Sequence, residues 1–302
     1  MPGADPAFPG LVIASYGRHA LIALADGRIC HGIPRGRKMA LACGDRVAIG
    51  HIGVDECVVE RIAERTTLLY RSDSYREKLF AANATQVMLV TAAEPAAHPE
   101  LLHRCLIAAT AGGLPVIVVL NKVDLSDRLP AARAGLEPLR KLDIDIIEAS
   151  VQDDFLPFRA RLSGHCTVMV GQSGVGKSSL INRLCPGARA NTDRISEALG
   201  TGKHTTTATR LYRIDDDSSV IDSPGVQVFG IGHLSVSQLE SAFVEFRPLL
   251  GQCRFRDCRH RDEPGCAIQA AAAVGAIDVA RVALFHKLCA ESADAARTRR
   301  GH

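Results

Sequence analysis

No stretch of this chain is long and apolar enough to cross a membrane. The longest apolar runs, such as Leu114 to Leu120, are strand-length, far short of the roughly 18 consecutive residues that a spanning helix needs. The N-terminal residues Met1 to Gly10 lack both the basic start and the apolar run of a secretory signal, so a cytoplasmic protein with no membrane association is expected. An internal repeat and a long low-complexity segment are also missing. No long heptad pattern or exposed strand signal stands out, and a monomer is expected. Neither sign of charge dominates: the net charge of +3 and the pI near 8.4 permit an RNA partner without requiring one.

At 302 residues the chain exceeds what one hydrophobic core usually spans, which favours two or three domains. Hydrophobic residues at 47% and charged residues at 23% are ordinary for a globular protein. Of the ten cysteines, Cys30, Cys43, Cys57, Cys105, Cys166, Cys185 and Cys289 stand singly in apolar or mixed segments, and reduced, buried thiols are expected for most of them. Basic residues recur at Arg35 to Lys38, Arg61 to Lys78, Arg254 to Arg261 and Arg297 to Arg300.

Between Leu11 and Ile62, short strand-like runs (Leu11 to Tyr16, Ala20 to Ala25, Arg46 to Ile49, Glu56 to Ile62) are separated by Gly and Asp turns. That pattern fits a small closed β-barrel, with an OB-type barrel as the first reading and an SH3-like barrel indistinguishable at this level. Arg65 to Ala84 reads as a linker. Strand and helix then alternate: strands at Gln86 to Thr91, Pro115 to Leu120, Asp145 to Glu148 and Thr167 to Val170, helices at Pro99 to Ala111, Leu129 to Lys141, Phe155 to Leu162 and Lys177 to Leu184. Such alternation argues for a parallel sheet covered by helices. From Ser235 the pattern turns helical, with Ala-rich stretches at Ala267 to Ala273 and Asp278 to Ala290, and the final residues read as frayed.

The strand Val168 to Val170 runs into Gly171-Gln172-Ser173-Gly174-Val175-Gly176-Lys177-Ser178, and Ser179 continues into a helix. Glycines let the backbone curl so that its N–H groups face phosphate oxygens, and the helix N-terminus adds a favourable dipole. Lys177 suits the terminal phosphates and the Ser178 hydroxyl suits Mg2+. Asp222, at the end of the apolar run Ser219 to Ile221, can hold Mg2+ through water, and Gly225 can offer its N–H to the terminal phosphate. Asn121-Lys122-Val123-Asp124 follows another strand. Its carboxylate accepts from two donors, which fits the N1–H and amine edge of guanine and not adenine. Ser150, in Glu148-Ala149-Ser150-Val151, sits where a backbone N–H can meet the guanine O6. In most GTPases the phosphate loop comes first; here the guanine motif does.

Gly200 to Thr207 lies between the phosphate loop and Asp222 and offers hydroxyls to Mg2+, Thr206 first and Thr205 next. Signalling GTPases orient the attacking water with a Gln just after Asp-x-x-Gly, and this chain has Val226 there. Either His204 orients the water or a partner completes the site. Slow hydrolysis by the free protein is therefore expected.

Cys253, Cys258, His260 and Cys266 supply three thiolates and one imidazole in one short stretch, a full tetrahedral set for one structural Zn2+ with no position left for water. Such an ion can contribute on the order of 10 kcal/mol to folding. Arg254, Arg256, Arg259 and Arg261 interleave the ligands and form a basic rim suited to RNA phosphates.

The order of these elements, with Gly202-Lys-His-Thr-Thr-Thr207, Glu263-Pro-Gly-Cys266 and the barrel's Gly44-Asp45-Arg46-Val47, resembles the RsgA (YjeQ) family of circularly permuted GTPases over nearly the whole length. The resemblance implies an OB-type barrel over residues 1–66, a circularly permuted α/β P-loop GTPase domain over 67–234 and an α-helical zinc-binding domain over 235–302. It further implies GTP hydrolysis to GDP stimulated by the small (30S) ribosomal subunit and its 16S rRNA, a role in late subunit maturation with hydrolysis coupled to release, and His204 as the catalytic residue. The short, Ala-rich N-terminal region departs from the family pattern.

Overall fold

The computed structural model describes residues 7–16, 19–36, 39–51, 53, 55–72, 77–152, 155–187, 209–223 and 229–300. Five strands, β1 (Gly10–Ser15), β2 (Ala20–Leu24), β3 (Ile29–Pro34), β4 (Arg46–His51) and β5 (Glu56–Ile62), close on themselves in the order β1-β2-β3-β5-β4-β1. β3 and β5 run parallel and β1 pairs antiparallel with β4. That order is the OB arrangement and removes the SH3-like alternative. Val12, Ile22, Val47 and Val59 fill the barrel. Strand β3 was not expected. Its Gly32 and Pro34 weaken any local strand signal, and it exists because β2 and β5 pair with both its edges.

The segment read as a linker forms a hairpin of β6 (Leu68–Ser72) and β7 (Glu77–Ala82). Tertiary contacts hold it: Cys43 of the barrel bridges Ala81, Arg71 bridges Phe229, and the Phe80 and Phe229 rings lie 5.9 Å apart. Gly44 is required at this junction. Its φ is +93°, and a Cβ there would meet the Ala82 carbonyl oxygen at 2.2 Å.

Beyond the barrel stands a sheet of β8 (Gln86–Ala92), β9 (Val116–Asn121), β10 (Asp145–Ala149), β11 (Cys166–Val170), β12 (Thr209–Arg213) and β13 (Ser219–Asp222). Its order is β10-β9-β8-β11-β13-β12, parallel except for β12. Every residue of β8 is buried, as befits a central strand covered on both faces. Helices α1 (Pro99–Ala111) and α2 (Leu129–Arg140) contribute buried side chains to one large cluster, while α3 (Leu156–Ala160) and α4 (Lys177–Leu184) contribute to another. β12 pairs with β1, so barrel and sheet are continuous. β12 escaped the sequence reading because its buried Arg210 breaks the apolar pattern.

The C-terminal region comprises α5 (Val236–Ala242), a 3-10 turn (Val244–Leu249), α6 (Ala267–Ala273) and α7 (Val279–Arg300). α7 runs on through residues expected to fray. Arg104 of α1 pairs with Glu291 of α7, and Lys287 with Glu100. Ile107 of α1 joins the core made by Phe243, Phe246 and Phe285. Among the described residues no helix is long and apolar enough to cross a membrane. The expectation of single thiols needs one correction: Cys30 and Cys57 are joined by a disulfide between β3 and β5. Cys43, Cys105, Cys166, Cys185 and Cys289 are free, and burial pushes the Cys105 thiol up to about 12.

One ion pair pins the barrel to the chain that leaves it. Arg65 donates to the fully buried Asp45 at 2.7 and 2.8 Å and to the Ala40 carbonyl at 2.6 Å, and Asp45 also accepts from the Ala42 N–H at 2.7 Å. Arg65→Met leaves that carboxylate buried without its cation, so we expect a loss of about 3–5 kcal/mol, read as a lowered urea midpoint.

Candidate nucleotide site and metal centre

Five parallel strands end on one side of the sheet, where open α/β sheets bind ligands. β9 ends in Asn121, β10 in Ala149, β11 runs into Gly171 and β13 ends in Asp222. Register places Ala149 beside Asn121 and Asp222 beside Met169. The two motifs that are far apart in the chain thus meet because β8 lies between their strands.

The turn into α4 depends on Gly176, whose φ is +95° and whose Cβ would stand 2.3 Å from the Asn121 amide nitrogen. That amide donates to the Val175 carbonyl at 2.8 Å, fastening the guanine motif to the phosphate loop. Lys122 adopts a left-handed φ of 59°, rare for a residue with a side chain, and its Nζ donates to the Glu94 carbonyl at 2.8 Å. The Val123 N–H donates to the Ala149 carbonyl at 3.4 Å. Asp124 is exposed at the mouth. Ser150 is buried, and its hydroxyl accepts from the Gln152 N–H at 3.1 Å.

Lys177 folds back over the loop, its Nζ donating to the carbonyls of Gly171 at 2.5 Å and Gln172 at 3.0 Å. Burial lowers its pKa while the nearby Asp222 carboxylate opposes that shift. A phosphate would replace the two carbonyls with charged acceptors, a stronger class of hydrogen bond. Ser173, Gly174, Ser178 and Ser179 are exposed, and Val175 is buried against the core. Asp222 is buried, at the position where a magnesium-holding carboxylate would sit. His204, Thr205, Thr206, Gly225 and Val226 lie outside the described residues.

In the C-terminal region, the Cys253, Cys258, Cys266 and His260 donor atoms all lie within 4.8 Å of one another. His260 Nδ1 stands 3.5, 3.6 and 3.3 Å from the Cys253, Cys258 and Cys266 sulfurs, and the Cys253 and Cys266 sulfurs are 3.9 Å apart. Ligands about 2.0–2.3 Å from a tetrahedral zinc are separated by roughly 3.5–3.8 Å, so the cluster could hold one such ion. His260 needs its left-handed φ of 59° to turn inward. Glu263, already part of the motif that carries the family resemblance, and two residues that the sequence did not single out shape this turn. Glu263 accepts from the N–H groups of Arg259 at 3.0 Å and Arg261 at 2.8 Å, which hold its carboxyl down to about 2. Gln269 donates to the His260 carbonyl at 2.6 Å, and Glu240 faces the far side of the ring. The only sequence signal at Gln269 was proximity to the cluster, and Glu240 lacked even that.

A guanine motif preceding a phosphate loop, on one parallel sheet and behind a closed barrel, defines a circularly permuted GTPase. The RsgA GTPase family model matches residues 62–232, and the chain belongs to that family. The small ribosomal subunit biogenesis GTPase RsgA of Burkholderia pseudomallei (strain K96243) is 50% identical over 293 residues, 95% of this chain and 93% of its own length. The protein of the same description from Nitrosospira multiformis is 46% identical over 286 residues, 95% of this chain and 91% of its own. Among solved structures, YjeQ from Thermotoga maritima superposes with a TM-score of 0.69 at 27% identity, covering 94% of this chain and 97% of that one. YloQ, described as a circularly permuted GTPase, shares the fold with a TM-score of 0.66 at 24% identity, covering 97% and 98%.

The contact at Gly176 generates a direct prediction. Gly176→Ala forces a methyl group into the Asn121 amide and strains the backbone, and is expected to weaken guanine nucleotide binding at least about tenfold, equivalent to about 1.4 kcal/mol. Titration with a fluorescent GDP analogue checks it, with unchanged circular dichroism showing that the fold persists.

Proposed function

We propose that this GTPase hydrolyses GTP in response to the small (30S) ribosomal subunit, acting late in that subunit's maturation, with hydrolysis coupled to release. The observation that carries this reading is the match along 95% of the chain to relatives named as small ribosomal subunit biogenesis GTPases. Three modules divide the work: the barrel over 1–66, the permuted GTPase domain over 67–234 and the metal-bearing helical domain over 235–302. The first and third face 16S rRNA, the third with the rim of Arg254, Arg256, Arg259 and Arg261. The protein acts in the cytoplasm as a monomer and has no membrane partner.

At the nucleotide site the roles follow from the chemistry of each group. The Gly171 to Ser178 backbone with Ser179 cradles the phosphates, Lys177 neutralises their charge, Asp124 accepts from the guanine edge, and the backbone at Ser150 meets its O6. Ser178, Thr206 and Asp222 would hold the Mg2+ that accompanies GTP and offsets the charge of the phosphates. His204 orients the attacking water, and Gly225 reads the terminal phosphate. The Cys253, Cys258, Cys266 and His260 donors hold one structural Zn2+; a soft thiolate set selects it over Mg2+ or Ca2+. A swing from mostly bound to mostly released needs about 5.5 kcal/mol of difference in affinity between GTP and GDP forms.

GTP turnover by the purified protein should rise sharply with small subunits added, and ATP should not be turned over in either case. His204→Ala should remove about 10²-fold or more of the stimulated rate and leave GTP affinity intact. No stimulation by the subunit would sink the coupling and favour a GTP-gated RNA-binding scaffold; stimulation by separated large subunits instead would reassign the partner.

Asp124→Asn keeps the side chain's shape and exchanges one acceptor for a donor. GTP affinity should fall by about 10–100-fold, the cost of one mismatched, unsatisfied polar pair. Xanthosine triphosphate, which presents an oxygen where guanine has its amine, should recover most of that loss in the same titration.

A further inference from the structure

The metal cluster is held from outside its own loop. His260 is buried to 6% exposure of its side chain, and its Nε2 stands 3.4 Å from Oε1 of Glu240, itself 21% exposed. Glu240 belongs to α5, well before Cys253, the first cysteine of the cluster. The opposite ring nitrogen, Nδ1, is the one that faces the three sulfurs, at 3.3 to 3.6 Å. Phe246 and Phe285 flank the ring, with centroids 6.4 and 5.9 Å away, and contribute to its burial.

We propose that Glu240 is a positioning residue for the metal centre, accepting the His260 Nε2–H and thereby presenting Nδ1 to the ion. This rests on the zinc reading given above. A ligating imidazole is neutral and carries a single proton. If Nδ1 gives its lone pair to the metal, that proton must sit on Nε2, and in a buried site it needs an acceptor. The Glu240 carboxylate fixes the tautomer and the ring orientation and makes Nδ1 a better donor. The consequence reaches beyond the loop. α5 opens at Ser235, whose side chain and Gln238 form a capping box, and Leu239 and Ala242 of the same helix are buried in the C-terminal core with Ile107 of α1. Glu240 therefore latches the metal loop to the helix that joins this region to the GTPase sheet.

The experiment measures zinc affinity of the full chain by competition with a chromogenic chelator, for wild type, Glu240→Ala and Glu240→Gln. Wild type should bind one equivalent. Glu240→Ala should bind about 10–100-fold more weakly, the usual effect of removing such a partner. Glu240→Gln retains an oxygen that can accept the Nε2–H and should recover most of the loss. Loaded with Co2+, wild type and Glu240→Gln should share one tetrahedral thiolate absorption spectrum, and Glu240→Ala should shift it. A Glu240→Ala affinity within about threefold of a zinc-binding wild type, against that 10–100-fold expectation, overturns the proposal alone. A folded wild type that binds no zinc overturns the zinc reading and this proposal with it.

Discussion

The hydrogen bond from the Asn121 amide to the Val175 carbonyl, at 2.8 Å, joins two halves of a site that the chain order separates. A parallel sheet is indifferent to the order in which its strands are made, provided each finds its neighbours. Here β8 sits between β9 and β11, so the guanine motif leaving β9 and the phosphate loop leaving β11 emerge a strand apart. Gly176 completes the arrangement by leaving room for that amide, and Lys122 spans toward Glu94 over the same loop. Circular permutation costs the site nothing, because its geometry is fixed by lateral pairing.

What permutation changes is where the chain goes after Asp222. β13 lies between β11 and β12, and the chain next reaches Phe229, which bridges to Arg71 of the hairpin and packs on Phe80. From there it enters α5 directly. The hairpin, missed as a linker in the sequence, is thus the place where barrel, GTPase sheet and the exit toward the C-terminal helices meet. Cys43 and Gly44 of the barrel contact its second strand, so none of these parts packs independently of the other two.

The sequence carried the site elements well because each motif combines residue type, spacing and a flanking strand. Asn121, Gly171 to Ser178 and Asp222 all stand at strand ends, as the apolar runs before them indicated. The zinc-type spacing was equally legible, since three Cys and one His in one short stretch seldom coincide. Elements made by pairing were not legible. β3 and β12 are short, interrupted by Gly, Pro or Arg, and exist through partners distant in sequence, while β6 and β7 pair with each other and are held by Cys43 and Phe229. The Cys30–Cys57 disulfide depends on the parallel register of β3 and β5, which sets Cys57 opposite Gly32, and no spacing rule gives that register. Glu240 is an ordinary exposed-looking helix residue until α5 is laid against the metal loop. The excess length of α7 has a similar origin: Lys287 and Glu291 find partners on α1, and Ser292 donates to the Leu234 carbonyl, contacts that tie down a terminal stretch that would otherwise fray.

α1 connects the two sites mechanically. On one side Leu101, Leu102 and Cys105 face Gly171, Gln172 and Val175 across a cavity of about 10 Å3, so the helix packs tightly beneath the phosphate loop. On the other side Ile107 enters the phenylalanine core and Arg104 pairs with Glu291. The Arg104 side chain is largely buried while its Glu291 partner reaches solvent, so the pair sits at the edge of the α1–α7 contact. Adjacent to it, Arg281 donates to Glu245 at 2.6 and 3.1 Å and stacks over Phe243 at 4.6 Å, a second buried guanidinium with a matched partner. Undocking the C-terminal helices from α1 would return Ile107 and its apolar surroundings to water and separate the ion pairs that Arg104 and Glu100 make with α7, a cost on top of the roughly 5.5 kcal/mol that a two-way switch requires. A nucleotide signal would be cheaper to transmit with that contact intact, the C-terminal helices following α1.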